Sequence, residues 1–199
     1  MGLSKRTLYL NTSIPISLIV FDGDDTLWKG LDGGYISGVD YHDVGRDDYT
    51  FHNLDQLHIQ RNDGQRFLLF AEVLTLLPEI ERRGVLISLA SYNRPLPTYS
   101  ALHAFNIQHY FHHPVVEWSN RKDLMIRRIL QSFQSDGYLV EPASTLFIDD
   151  DHASRYRPQM AAIGVHFLQK GVDIQDLGEL LVNPRFLFTP PSKQLLLMT

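Results

Sequence analysis

Acidic side chains crowd together directly after two apolar runs of this sequence, in the stretches FDGDD (residues 21–25) and FIDDD (residues 147–151). If both clusters share one crevice, the carboxylates raise one another's pKa, because like charges a few ångströms apart repel. A hard divalent cation, most often Mg²⁺, removes this repulsion and also binds waters and phosphate oxygens. Acids gathered around such a cation indicate phosphoryl transfer.

The first cluster contains a pair of acids that could share the chemistry. Asp22 and Asp24 are two positions apart, and residues so spaced in an extended stretch face the same side. One of them could attack phosphorus while the other protonates the leaving oxygen. Gly23 between them lets the backbone approach a ligand closely. The hydroxyl of Ser91 and the ammonium of Lys122 could hold the phosphate oxygens and offset charge in the transition state.

Alternating strands and helices must position these residues. Four β-branched and aromatic runs predict strands buried on both faces, at residues 16–21, 85–90, 145–148 and 165–168. Helical spacing of apolar residues predicts helices at 67–83, 97–105, 119–133, 152–163 and 174–181, with Pro78 and Pro158 as interruptions. This alternation predicts an α/β fold of the Rossmann type, a doubly wound parallel sheet with helices on both faces. Ligands of such sheets bind beyond the carboxyl ends of the strands, where the acids and Ser91 stand.

The bulk composition excludes several classes of site. The chain of 199 residues suits one domain, and its formal net charge of -5 without a Lys/Arg run argues against a nucleic-acid partner. The absence of cysteine excludes disulfides and thiolate chemistry. No apolar run reaches the ~18–20 residues that span a bilayer, and residues 1–20 lack a signal-peptide pattern, so we expect a cytoplasmic protein without a membrane partner.

Four short motifs occur in a recognisable order: DxDxT within FDGDDTLW, Ser in SLASYN, Lys in SNRKD, and Asp-Asp in FIDDD. The set spans roughly residues 16–170 and resembles the phosphatases of the haloacid dehalogenase (HAD) superfamily. The stretch DDTLW and the lack of a sizeable cap resemble the uncapped magnesium-dependent phosphatase-1 family. RRGVLISLASYN and FIDDD also resemble the related FkbH-like proteins, which load a glyceryl unit onto acyl carrier proteins.

The resemblance implies a Mg²⁺-dependent phosphomonoester hydrolase that works through an aspartyl-phosphate. Asp22 would be the nucleophile and a metal ligand. Asp24 would be the general acid and then the base, with its backbone carbonyl on the metal. Asp150 would complete the metal shell with Asp149 behind it, and of this pair we favour Asp150 as the direct ligand.

The resemblance also implies a phosphate-binding group. Ser91 would bind phosphate, Lys122 would bridge the nucleophile and the phosphate, and Thr26 would steady the loop beside them. Magnesium-dependent phosphatase-1 proteins tend to carry Arg directly after the motif Ser, where this chain has Tyr, so its substrate preference need not be theirs. The candidate substrate contacts are Tyr92, Asn93 and Arg94.

We expect an N-terminal leader over residues 1–15, one domain over 16–182 and a tail over 183–199. The insertion at residues 29–65 stands where HAD proteins carry a flap or small cap. Its Gly and Asp content predicts a mobile segment rather than a packed lid, with a short strand near residues 56–60. An open site of this kind would accept a phosphorylated small molecule or a phosphoprotein.

Two other functions are compatible with the motifs. An FkbH-like glyceryl or acyl transferase would act with an acyl carrier protein; such chains usually have extra domains, which we do not expect here. A receiver-like phospho-switch or a pseudoenzyme would use a similar set of Asp, hydroxyl and Lys. Receivers place the phosphorylated Asp at the third strand, however, so DxDxT at the first strand favours turnover. The sequence makes no prediction of the oligomeric state.

Overall fold

The computed structural model describes residues 13–38, 46–150 and 153–194. The strands are, in chain order, Ile14–Ile16 (β1), Leu18–Phe21 (β2), Trp28–Gly30 (β3), Phe51–Asn53 (β4), His58–Arg61 (β5), Arg66–Leu69 (β6), Leu86–Tyr92 (β7), Val115–Glu117 (β8), Tyr138–Leu139 (β9), Thr145–Asp149 (β10), His166–Gln169 (β11), Phe186–Phe188 (β12) and Ser192–Lys193 (β13). The α-helices are Val73–Arg82 (α1), Pro95–Ala104 (α2), Lys122–Ser135 (α3), Ala153–Ile163 (α4) and Glu179–Val182 (α5).

Five parallel strands form the central sheet in the order β11-β10-β2-β7-β8. β2 lies in the middle, where Leu18 is paired with Thr145 of β10 on one side and with Leu86 of β7 on the other. All four residues of β2 are fully buried, as expected of a strand covered by helices on both faces. The predicted doubly wound parallel sheet is therefore confirmed.

The two faces of the sheet have separate apolar cores. Successive residues of a strand point to opposite faces, so Ile19 and Phe21 pack with α1 and α2, whereas Leu18 and Val20 pack with α3 and α4. Each fully buried side chain of this size contributes about 1.5–3 kcal/mol relative to an exposed one. Packing on both faces fixes the positions of β2 and its neighbours relative to one another. The side chains at the carboxyl ends of these strands therefore have fixed relative positions as well.

The insertion after β2 is built differently from the prediction. Instead of a loose segment followed by a helix from residue 67, the chain forms a four-stranded antiparallel sheet in the order β3-β6-β5-β4, and α1 begins only at Val73. Ile36, Ile59 and Phe67 are fully buried and belong to the core that contains α1. The described part of the insertion is therefore packed, not loose. Residues 39–45 lie outside the described part of the chain.

Other boundaries also differ from the expectations. α1 and α4 run through Pro78 and Pro158 without a break, and the last helix is the single turn Glu179–Val182. Within the segment expected as a tail, β12 pairs with β1 and β13 pairs with β9. Residues 1–12, 151–152 and 195–199 also lie outside the described residues, and with them Asp151 and the first residue of the helix expected at 152–163. None of the helices in the described ranges has the length and apolar character that crossing a bilayer requires.

Candidate active site

Three neighbouring strands bring the predicted acids and the hydroxyl to one edge of the sheet. β10, β2 and β7 are adjacent and parallel, so Asp149 at the end of β10, Asp22 after β2 and Ser91 near the end of β7 share that edge. The backbone N–H of Asp22 donates to the Ile148 carbonyl at 2.9 Å, which extends the strand pairing by one residue. The register of the sheet thus sets the position of Asp22 relative to the second acidic motif.

Asp22, Asp149 and Asp150 form a carboxylate cluster at this edge, with one oxygen of each within 4.8 Å of the others. Asp149 is buried, and the other two are half-buried. Burial, together with the charges of Asp22 and Asp149, raises the pKa of Asp150 to about 8. Three hard oxygen donors that repel one another in this way suit a hard divalent cation, which would keep Asp150 ionised. The residues present therefore fit a bound Mg²⁺ ion.

Lys122 supplies the positive charge that the acids face. It is the first residue of α3 and is 1% exposed, and its Nζ donates to Asp22 Oδ1 at 2.7 Å and to the Ala90 carbonyl at 2.6 Å. Nζ also lies 3.3 Å from Asp149 Oδ2. Burial by itself lowers the pKa of Lys122, but the charges of Asp22 and Asp149 outweigh it, so the net pKa is raised and the group stays protonated.

Asp24 is buried in a pocket of donors formed by its own loop and the insertion. Trp28 Nε1 donates to Oδ1 at 2.9 Å, and the backbone N–H of Ile36 donates to the same oxygen at 3.2 Å. Asn93 Nδ2 donates to Oδ2. The pKa of Asp24 is raised to about 7, chiefly by burial and also by the charge of Asp22, and the three hydrogen bonds oppose this rise. A carboxyl with a pKa in this range can give or accept a proton near neutral pH.

Gly23 allows the loop between the two aspartates to sit against the site. A Cβ atom at this position would lie 2.6 Å from the Trp28 ring and 3.2 Å from Ser91 Oγ. Since real Cβ atoms do not approach an aromatic ring so closely, any other residue would displace either the indole or the loop. Ser91 is buried, and its Oγ also accepts a long hydrogen bond of 3.4 Å from Asn93 Nδ2.

The three candidate substrate contacts, Tyr92, Asn93 and Arg94, differ in how exposed they are. Asn93 is 3% exposed and lies behind Asp24, where its Oδ1 accepts a hydrogen bond from Ser37 of the insertion. Ser37 in turn accepts from the backbone N–H of Arg94 at 2.9 Å. Tyr92 is 40% exposed, and Arg94 is half-buried. Asn93 thus supports Asp24 from within, while Tyr92 and Arg94 reach the surface.

Thr26 lies next to the carboxylate cluster rather than in the open site. It is fully buried, and its Oγ1 donates to Asp150 Oδ1 at 3.3 Å. The hydroxyl therefore orients one of the candidate metal ligands. A second hydrogen bond in this region, from Gln169 Nε2 to the Asp150 carbonyl at 3.0 Å, holds the backbone of the same residue.

Sequence reasoning missed two buried cations near the site. Lys170, directly after β11, donates to the carbonyls of Asp25 at 3.2 Å and Thr26 at 2.9 Å, and burial lowers its pKa to about 8 against the opposing influence of nearby carboxylates. The sequence could have predicted Lys170, since a lysine that directly follows a buried strand lies at the same edge of the sheet as the other site residues.

The second missed cation is Arg61 in β5, which is 4% exposed. Its Nη1 donates to the carbonyls of Tyr35 at 2.8 Å and Ile36 at 3.1 Å, and its guanidinium lies over the Tyr49 ring. It thereby holds the segment whose Ile36 N–H binds Asp24. The sequence does not predict a buried Arg61, because an arginine in a short strand is usually a surface residue.

No protein-family model matches this sequence, and no curated protein matches it. Among solved structures, a 3-deoxy-D-manno-octulosonate 8-phosphate phosphatase from Yersinia pestis is 15% identical over 89% of this chain and 74% of its own, with a TM-score of 0.46. A hypothetical protein from Xanthomonas campestris is 15% identical over 98% of this chain and 86% of its own, with a TM-score of 0.49. Similarities this low carry no conclusion about activity, so function has to be inferred from the side chains of the site.

Proposed function

We propose that this protein is a Mg²⁺-dependent phosphomonoester hydrolase that works through an aspartyl-phosphate on Asp22. One arrangement carries the proposal: Asp22 contacts a buried lysine and shares a carboxylate cluster with Asp149 and Asp150, while Asp24 is held separately with a pKa of about 7. A charged nucleophile, a cation site and a protonatable carboxyl are the three groups that this reaction needs.

In the first step, a carboxylate oxygen of Asp22 attacks phosphorus, and the bond from phosphorus to the ester oxygen breaks. The leaving oxygen takes the proton of Asp24. That proton would sit on Oδ2, because Oδ1 accepts two hydrogen bonds, from Trp28 and Ile36, whereas Oδ2 accepts one, from Asn93, and keeps one position for the proton. The donors around Asp24 orient the carboxyl group, so its proton is presented from one direction.

In the second step, Asp24 acts as the base. Its carboxylate removes a proton from water, the resulting hydroxide attacks phosphorus, and the bond from phosphorus to the Asp22 oxygen breaks to release inorganic phosphate. Asp24 is then protonated again, ready for the next substrate. A pKa near 7 suits both directions of transfer, since a group titrating near the working pH is neither too weak as an acid nor too weak as a base.

Lys122 and Ser91 would hold the phosphoryl oxygens beside Asp22. Mg²⁺ would be held by Asp22 and Asp150, with Asp149 behind or beside them and the Asp24 carbonyl as a further ligand. When bound, the ion neutralises charge on the phosphoryl oxygens and on the crowded carboxylates. Phosphorylated small molecules and phosphoproteins are both candidate substrates.

Hydrolysis of p-nitrophenyl phosphate by the purified protein, with Mg²⁺ and with EDTA, tests the proposal. Asp22→Asn should lower kcat by at least about 1000-fold, the scale expected when a catalytic nucleophile is removed. Asp25→Asn is a matched control, because Asp25 is an exposed carboxylate three residues along whose left-handed backbone (φ 55°) asparagine tolerates. Turnover that persists in EDTA or in Asp22→Asn would contradict the proposal.

A further inference from the structure

Two partly exposed aromatic rings lie at the edge of the sheet that carries the candidate site. Tyr92 is the last residue of β7, directly after Ser91, and Trp118 follows the end of the adjacent strand β8. Their ring centroids are 4.3 Å apart with a 40° tilt between the planes. The register of β7 and β8 places Tyr92 opposite Glu117, so the ring pair lies at the same sheet edge as Ser91.

The exposure of this pair contrasts with the other tryptophan of the chain. Trp28 is fully buried and stacks on Phe105. Tyr92 and Trp118 are 40% and 47% exposed, and Leu96 at the start of α2, which begins at the same edge, is 64% exposed. Large apolar surfaces that stay in contact with water next to a polar site are typical of ligand-binding walls.

We propose that Tyr92 and Trp118 form a subsite for a planar aromatic ring in the organic part of the substrate. The placement of this subsite next to the reacting phosphate rests on the proposed function. Two sources share this chemistry: an aryl phosphate such as phosphotyrosine, with the ring next to the ester oxygen, and a nucleoside monophosphate, with the ring farther away.

Matched substrate pairs test the subsite and distinguish the two sources. AMP and ribose 5-phosphate have the same ester linkage and differ by the base, while phosphotyrosine and phosphoserine differ by the aryl ring. Trp118→Ala should lower the ratio of kcat/KM between the ring-bearing and the ring-free member by about tenfold, the scale of one ring-stacking contact. The pair that shows this change identifies the source. Trp118→Phe should keep most of the ratio, and Leu187→Ala, which changes an exposed leucine of β12, should keep all of it.

Binding measurements separate this inference from the proposed function. Phenylphosphonate and methylphosphonate contain a P–C bond that the proposed reaction does not cleave, and AMP and ribose 5-phosphate can be titrated in EDTA alongside them. Calorimetry should show tighter binding of the ring-bearing ligand in at least one pair, and Trp118→Ala should remove that preference. Ring preference in binding without any hydrolysis would contradict the phosphatase but support the subsite. Hydrolysis or binding without ring preference, or no binding at all, would overturn the subsite.

Discussion

The indole N–H of Trp28 donates to Asp24 Oδ1 at 2.9 Å, four residues back along the chain. The loop that carries the candidate acid/base thus closes on its own tryptophan, and the same ring lies against Gly23. Trp28 is consequently more than a packing residue. It fixes the direction of the Asp24 carboxyl and stabilises the ionised form of that group.

Trp28→Phe should therefore raise the pKa of Asp24 above its present value of about 7, because a donor to the charged form is lost. The limb of the pH–rate profile that reports protonated Asp24 should shift to higher pH, and kcat should fall about tenfold as the carboxyl loses its orientation. Phe105→Leu is the control, since it disturbs the ring packed on Trp28 but leaves the indole donor in place. An unchanged profile in Trp28→Phe, with the fold intact, would show that the hydrogen bond has no catalytic consequence.

The buried ion pair of Lys122 makes a prediction about stability as well as activity. Lys122→Met leaves Asp22 and Asp149 without their cation, and breaking a buried pair from one side costs about 3–5 kcal/mol of the free energy of unfolding in EDTA. Turnover should be lost in the same variant. Lys193→Met, at an exposed lysine, should change the stability by less than about 0.5 kcal/mol.

The double variant Lys122→Met/Asp149→Asn distinguishes charge imbalance from loss of packing. Removing the buried Asp149 charge should recover a large part of the lost stability while turnover stays absent. Urea unfolding in EDTA measures the stability, and p-nitrophenyl phosphate hydrolysis measures the activity. A double variant no more stable than Lys122→Met would attribute the effect to the packing of the lysine stem against the Phe147 and Tyr156 rings.

Thr26→Val keeps the shape of the buried side chain and removes the hydroxyl that donates to Asp150 Oδ1. The expected result is a weaker affinity for Mg²⁺, by about tenfold, because partners that orient metal ligands typically contribute a factor of this size. At saturating Mg²⁺, kcat should remain close to the wild-type value. The measurement is activity as a function of Mg²⁺ concentration. A loss of kcat that Mg²⁺ does not restore would instead assign the hydroxyl a direct role on the phosphate.

The raised pKa values of Asp24 and Asp150 predict how the stability of the metal-free protein depends on pH. Both groups have folded-state values, about 7 and about 8, above the ordinary value of 3.8. Their contribution is therefore complete below about pH 4 and is lost as the pH rises to 8, at about 1.4 kcal/mol for each pKa unit of difference before solvent screening. The thermal midpoint in EDTA should fall between pH 5 and pH 7, the range in which Lys170, whose pKa is lowered to about 8, still keeps most of its proton.

Mg²⁺ should stabilise the protein more at pH 8 than at pH 5.5, because the ion binds the ionised carboxylates. Asp150→Asn should flatten the fall seen in EDTA and weaken the effect of Mg²⁺. Thermal unfolding at several pH values, with Mg²⁺ and with EDTA, measures both effects. A midpoint that rises from pH 5 to pH 7 in EDTA would contradict the raised pKa values.

The central sheet was predictable because a strand buried on both faces has to be apolar throughout. Residues 16–21 and 145–148 have this character, and the acids directly after them have to emerge at the carboxyl edge. Residues 67–69 were wrongly predicted as the start of a helix because their apolar pattern is compatible with both a helix and a strand. Phe67, Phe70 and Leu74 fit a helical period, but pairing with β5 and β3 makes the first of them part of a strand. Short apolar runs do not distinguish the two structures, so tertiary pairing decides.

The sequence by itself determined the order of the acids, hydroxyl and lysine along the chain and the parallel sheet that gathers them, since both follow from local patterns of burial and spacing. Only the tertiary structure decided what surrounds Asp24. Ile36 and Asn93 are 12 and 69 residues away from it in the chain, and contacts at such separations depend on how the insertion packs against β7. Likewise, the cation of Lys122 meets Asp22 across 100 residues because α3 begins where β2 ends in space. Local patterns predict which groups are available, and packing sets their charge state and direction.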